Sequence, residues 1–476
     1  MLPSLWEDRS PSKRCEWIDQ LRGWAVIVMI EVHVVNAWLY KGWVPGWLSF
    51  VNGLVAPSFI LCAGYSLVLS TFKPDGTLRR FWPETARRLG FVLLCAYILH
   101  APGVNLASWS VLSTPQKLHE VFKIDVLQCI VFSLLILQLL ARLVRRPAAF
   151  AFAALACAVG VAWVSPYLWR RGVADGWWLP IRGLVNGNAD RGVQALFPLF
   201  PWLAFAAFGS VLGVLYRYWR VVPMRDGRAR WSEGRWLFLL SVLGVTLTIW
   251  GTLMSHSWLP GGAWALEDLG RLHNTTLPSV AQRAGIVCLA GALMGALEAF
   301  RPRLPGPNPV LAASRESLLV YMFHLILVFG VLLSERVSSA TGLVRHSLGW
   351  AGSVLMTALV MGMSLGVALL WQSVRRQPTA MRTWQRRGLA ILAVWFVVGG
   401  WWSFQHFIRS PELAEEPYPF LNAARVHKGL APTPDGLCRN PDEYFREAAR
   451  RRIPLSDDAR ERIRGRIQAR TEVGAR

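Results

Sequence analysis

Residues 19–36 read DQLRGWAVIVMIEVHVVN, and this stretch decides how the rest of the chain is read. An apolar run from about 23 to 40 is long enough, as a helix rising 1.5 Å per residue, to cross most of a hydrocarbon core about 30 Å thick. Yet Arg22 opens it, and Glu31, His33 and Asn36 interrupt it. Ionisable groups inside such a span are costly and therefore usually functional.

Working outward, similar runs recur near 51–70, 89–104, 124–141, 148–165, 195–215, 236–255, 279–299, 308–333, 349–372 and 388–404. The composition agrees: 53% of the 476 residues are hydrophobic and only 17% are charged. Lipid cannot satisfy free backbone groups, so runs of this kind must be helices. The expected fold is therefore an all-α polytopic membrane protein with about 10–11 transmembrane helices. Many of the 25 tryptophans, including Trp38, Trp43, Trp47, Trp177, Trp178, Trp258, Trp401 and Trp402, fall at the ends of runs, as in an interfacial belt.

The net charge of +22 could indicate nucleic acid. Its distribution says otherwise, and the partner expected from it is the lipid bilayer, with no nucleic acid. With the N-terminus inside, the inner segments hold 25 Lys and Arg and the short outer loops hold 10. That asymmetry orients the chain with its N-terminus in the cytoplasm. Three regions follow: a cytoplasmic N-terminal segment (1–22), a transmembrane domain (23–404) and a basic, partly helical C-terminal tail (405–476). An odd helix count puts the tail outside the cytoplasm; if the run at 388–404 does not span, the tail is cytoplasmic. Ser456-Asp457-Asp458 before a charged run predicts a capped, solvated helix. The first run follows about 22 polar residues without a small-residue cleavage site, which predicts an uncleaved helix. Five of the seven cysteines lie inside apolar runs without ligand spacing, so neither disulfides nor a metal is expected.

The chemistry of the first helix follows from its pitch. Eleven residues separate Arg22 from His33, which is three turns plus roughly 20°, so both project from one face about 16 Å apart. They cannot touch, but they can hold two ends of one extended ligand. A guanidinium suits phosphate, an imidazole suits proton removal, and Asp19 can orient Arg22 from three residues away. The alternative is that Asp19 and Arg22 are interfacial anchors and His33 a satisfied polar residue of the bundle.

Further polar residues fall in other runs. Asp125 and Gln128 open the fourth, where Asp125 either orients the His33 ring or simply begins a helix. Ser317, Tyr321 and His324, spaced by four and three, share a helix face that either lines a cavity or packs as a polar seam. Glu316 could pair with Arg22 or compete with phosphate for it. Glu31 points about 200° away from His33 and is expected to meet a different neighbour.

Arg22, ten residues, then His33 resembles the pattern of the acyltransferase-3 group within the transmembrane acyltransferase superfamily. IDQLRGWAVIVMIEVH, VNGLVAPSFILCAGYSLVLS, KIDVLQCIVFSLLILQLL (123–140), FPLFPWLAFAAFGSVLG (197–213) and SRESLLVYMFHLIL (314–327) together resemble one branch, the heparan-alpha-glucosaminide N-acetyltransferase catalytic domain and its bacterial relatives. The resemblance implies transfer of an acetyl or short acyl group from acetyl-CoA or another acyl-CoA to a glycan or small-molecule acceptor across a bacterial inner membrane. It makes His33 and Asp125 the catalytic candidates, Arg22 and Asp19 the donor-binding ones, and Asn36, Gln128, Ser317, Tyr321 and His324 the cavity residues. A homodimer is one assembly open to it. Eukaryotic members are thought to place the catalytic histidine in the loop after the first helix, whereas this chain has none between Tyr40 and Asn52, so the base role falls on His33. The competing reading is a transporter or flippase that uses the same polar face without acyl chemistry. A scaffold acting through its basic tail is a third.

Overall fold

The computed structural model describes residues 16–79, 82–100, 122–171, 195–224, 227–255, 274–300, 308–334 and 341–375. It also describes short pieces at 173–174, 177, 179–185 and 337–338, and six positions in the C-terminal segment. The chain divides into two units, one formed by 1–99 and 123–376, the other by 100–122 and 377–476. The helices below belong to the first. In the second, Asp442, Phe445, Asp457, Arg460, Glu461 and Arg464 are helical, with the Arg464 guanidinium 5.8 Å from the Phe445 ring centre. The run at 388–404 lies outside the described residues.

The helices are α1 (Glu16–Trp38), α2 (Gly46–Asn52), α3 (Val55–Thr71), α4 (Trp82–Leu99), α5 (Val126–Val144), α6 (Pro147–Arg171), α7 (Leu179–Val185) and α8 (Leu199–Tyr216). They continue with α9 (Glu233–Ser255), α10 (Leu277–Phe300), α11 (Pro309–Arg315), α12 (Ser317–Leu325) and α13 (Trp350–Arg375). π-helical turns extend α8 over Arg217–Val221 and α12 over Ile326–Leu332. Among the described residues, each apolar run up to 349–372 overlaps a helix, the run at 308–333 falling on two, α11 and α12, and α2 and α7 are short additions in the connections.

Seven of the described helical stretches are long and apolar enough to cross a membrane, and the bent pair α11–α12 would make an eighth. The protein is thus an all-α polytopic membrane protein. α1 and α4 fall outside that set. α1 carries Arg22, Glu31, His33 and Asn36, and α4 carries Glu84, Arg87 and Arg88. The two are helical over most of the expected runs, and α4 turns Phe91, Leu94 and Ile98 outward.

Burial separates inner from outer helices. In α8, 72% of the apolar span is buried, against 22% in α9 and α13. Outward faces such as those of Leu143, Phe152, Leu355 and Leu370 are exposed and apolar, which is stable only against lipid. α8 packs on α3, α5 and α6, whereas α1 packs on α3, α10, α11, α12 and α13.

Between α3 and α8 no side chain separates the backbones at Gly64: a Cβ there would collide with the carbonyl of Ala206. Small residues of this kind let membrane helices approach closely, where packing rather than hydrophobicity drives association. Near the start of α1, Trp17, Tyr65, Tyr216 and Trp236 form a buried aromatic cluster, with Trp17 edge-on to Tyr65 at 5.1 Å.

The span expected at 308–333 is not one straight helix. Asn308 caps α11 through its side chain, and the axis then turns by 90° between α11 and α12. The break is at Glu316, which leaves the helical region with φ −108° and ψ 30°. Its buried carboxylate pairs with Arg375 of α13. Glu316 therefore bonds to α13, where the sequence reading had offered Arg22.

Candidate active site

α1 places Arg22 and His33 on the wall of one cavity of about 510 Å³. The cavity is long: on α3 its lining runs from Val55 through Phe59, Ala63 and Ser66 to Ser70, one helical face about 22 Å in extent. α4 adds Thr85 and Arg88, the start of α5 adds Asp125, and α12 adds Ser317 and Tyr321. Most of the wall is apolar with a few polar groups at fixed points, the usual make-up of a ligand site.

Asp125 takes the helix-start role of the two that the sequence left open. It is the N-cap of α5, its Oδ1 accepting from the Val126 amide at 2.7 Å, while the Gln128 Oε1 accepts from the Asp125 amide at 3.1 Å, completing a capping box. The other carboxylate oxygen accepts from the Tyr321 hydroxyl at 2.8 Å, and its charge acts through space on the His33 ring.

His324 follows on the same helix as Tyr321 but does not line the cavity. It is fully buried and stands behind His33, its Nε2 3.1 Å from His33 Nδ1, with the ring centres 5.1 Å apart. The tautomers follow from partners. His324 Nδ1 lies 2.7 Å from the Val320 carbonyl, which can only accept, so that nitrogen carries the proton. In the neutral ring Nε2 then has a lone pair, and His33 must donate from Nδ1, a proton it shares with the Met29 carbonyl at 3.0 Å. The lone pair of His33 is left on Nε2, and Phe329 packs edge-on against the ring at 5.8 Å.

Arg22 Nη2 meets Asp19 Oδ1 at 3.4 Å, a long contact that leaves most of the guanidinium's donors for a ligand. Its Nε is buried without a hydrogen-bond partner among the described residues. Asp19 and Gln128 are not on the cavity wall, and they act on residues that are. Asn36 is exposed and away from it. It is three residues from His33, on a neighbouring part of the same helix surface, but that part is not covered by the cavity.

The sequence reading missed Asn52, Ser66, Ser70, Thr85 and Arg88. Asn52 also meets Glu31, which is the different neighbour expected for that carboxyl. The Ser66 and Ser70 pair, four apart within an otherwise apolar run, was the available signal. Asn52 and Arg88 lie where only packing reveals which way they face. Among the described residues no group of three or more His, Cys, Asp or Glu is arranged to hold a metal.

A bundle of helices long and apolar enough to cross a membrane, with a cavity lined by a histidine and an arginine of one helix, defines an integral membrane protein. A profile described as heparan-alpha-glucosaminide N-acetyltransferase, catalytic, matches residues 14–253, half of the chain. The chain belongs to that family, and membrane acetyl transfer is the activity the family carries. The matched stretch includes Arg22, His33 and Asp125 and ends before α12. No curated protein matches the chain.

Proposed function

We propose that this protein moves an acetyl or other short acyl group from acyl-CoA to a sugar or related envelope acceptor, with His33 as general base. One observation supports the reading above the others: His33, whose Nδ1 is committed to Met29 and His324, lines the same cavity as Arg22. Nε2 is thereby the ring nitrogen available to a substrate. In the transfer, the acceptor hydroxyl or amine attacks the thioester carbonyl while Nε2 takes its proton. The carbon–sulfur bond breaks, and the leaving thiolate takes the proton back.

Arg22, oriented by Asp19, suits the phosphates or pantetheine end of the donor, and the spacing of three turns matches an extended molecule better than a catalytic pair. With the N-terminus inside, in a bacterial cytoplasmic membrane, Arg22 faces the donor's compartment and His33 the acceptor's. The bent pair α11–α12 is also the kind of broken span that transporters use, so the test must separate chemistry from flux.

Purified protein in nanodiscs, given labelled acetyl-CoA and a panel of envelope glycans that includes terminal glucosamine, should yield acetylated glycan by mass spectrometry. His33→Ala should abolish the product while donor binding persists. Full activity in that variant would overturn the assignment, and solute flux without consumption of acetyl-CoA would favour transport.

A further inference from the structure

The role of His324 is the question left by the site. A buried histidine that touches no ligand is ordinarily a satisfied core residue, and its bond to Val320 fits that description. Its second nitrogen does not. Nε2 is aimed at His33 Nδ1 from 3.1 Å, although Met29 already supplies that proton with an acceptor at 3.0 Å. The Met29 carbonyl alone would fix the tautomer of His33. What a carbonyl cannot do is accept the proton itself.

We propose that His324 is a positioning and proton-sharing residue, the second half of a two-histidine relay, an inference that rests on His33 being the base. As the acceptor's X–H bond breaks and an N–H bond forms at His33 Nε2, the Nδ1 proton moves toward His324 Nε2. The single positive charge is then spread over two rings. The Val320 carbonyl faces it at one end and Met29 at the middle. When the thiolate sulfur removes the Nε2 proton, the shift reverses and nothing is consumed. The need is physical: a buried imidazolium without compensating partners is expensive, and His324 lessens that expense at the moment the charge forms.

The placement of His324 depends on a second contact. Tyr321, one turn earlier on α12, is held by Asp125 at 2.8 Å, and its ring stands edge-on to His324 at 5.7 Å. The bond to α5 thus sets where α12 presents its histidine. The profile match ends at residue 253, so the long-range pairing, with 291 positions between the two rings, becomes visible only in the folded chain.

His324→Ala and His324→Gln in the full chain test the proposal. Gln has a similar size and can accept from His33 Nδ1, but it takes no proton. With labelled acetyl-CoA and a glucosamine-terminated glycan, the Ala variant should lose at least about 30-fold in kcat with KM for acetyl-CoA within about threefold. Gln should recover part of that loss. A readout that needs no acceptor is the ¹⁵N spectrum of His33, whose Nδ1 signal should move in the Ala variant and move less in Gln. An Ala variant that keeps its kcat and its His33 spectrum overturns the relay, as does a Gln variant no better than Ala in both. If Ala does not fold, Gln against wild type decides alone: unchanged kcat overturns the proton-sharing role. Transfer that survives His33→Ala would instead remove the base assignment itself.

Discussion

The Tyr321 hydroxyl donates to Asp125 Oδ2 at 2.8 Å, joining α12 to the N-cap of α5 across 196 positions of sequence. One carboxylate thereby caps one helix and fastens another, and the second helix carries His324 toward His33. Removing the hydroxyl by Tyr321→Phe leaves the carboxylate its cap, and a hydrogen bond to a charged group is worth about 1.5–3 kcal/mol. That variant should melt a few degrees lower in detergent and transfer more slowly. Asp125→Ala should be worse, since loss of an N-cap adds about 1 kcal/mol. Thermal melting and turnover of the two variants, measured side by side, check the ranking.

Arg22 has a weak intrahelical partner and unused donors. Arg22→Lys retains the charge but loses the planar fork, so it should raise KM for acyl-CoA by about tenfold while kcat changes less. Arg22→Ala should raise KM further. Donor titration by calorimetry distinguishes this from a purely structural loss, which would lower the melting temperature without selectively weakening the donor.

At Gly64 an added methyl would meet the Ala206 backbone, whereas at Gly90 on α4 nothing stands within 4 Å. Gly64→Ala should therefore destabilise by about 1–3 kcal/mol, as expected of overpacking. Gly90→Ala should be neutral or stabilise by up to about 1 kcal/mol through helix propensity. Opposite shifts in melting temperature are the expected result.

Between α3 and α4, outside the spans, Asp75 accepts from the Thr77 hydroxyl at 2.7 Å and its amide at 2.8 Å, and these bonds hold its carboxyl below the ordinary carboxylate range. Arg217 clasps the same turn through the Lys73 and Pro74 carbonyls. A depressed carboxyl stabilises above its unfolded pKa, and the contribution is lost as pH falls through the folded value. The turn should thus be unchanged from neutrality to about pH 5 and loosen only below about pH 4. Amide exchange at Thr77 across that range measures it, and Asp75→Asn should remove the acid transition.

Much of this architecture was legible in the sequence because lipid imposes a simple rule on composition. Run length gave the helices, Arg22 and His33 fell on one face by helical pitch alone, and Ser317, Tyr321 and His324 shared a face by their spacing. The bend at Glu316 was hidden because the partner of its carboxylate, Arg375, lies 59 residues away and spacing along one run shows no such contact. Asn36 was misplaced because spacing fixes the face of a helix but not which neighbour covers it.

By itself the sequence determined the helical membrane class, the arginine and histidine of α1 and the depth between them, since these depend on hydropathy and on a rise of 1.5 Å per residue. Only the tertiary structure decided what stands behind His33. The tautomer of a ring is set by the atoms that meet its nitrogens, and for His33 one of those atoms belongs to His324, brought within 3.1 Å by the packing of α12 and its bond to Asp125.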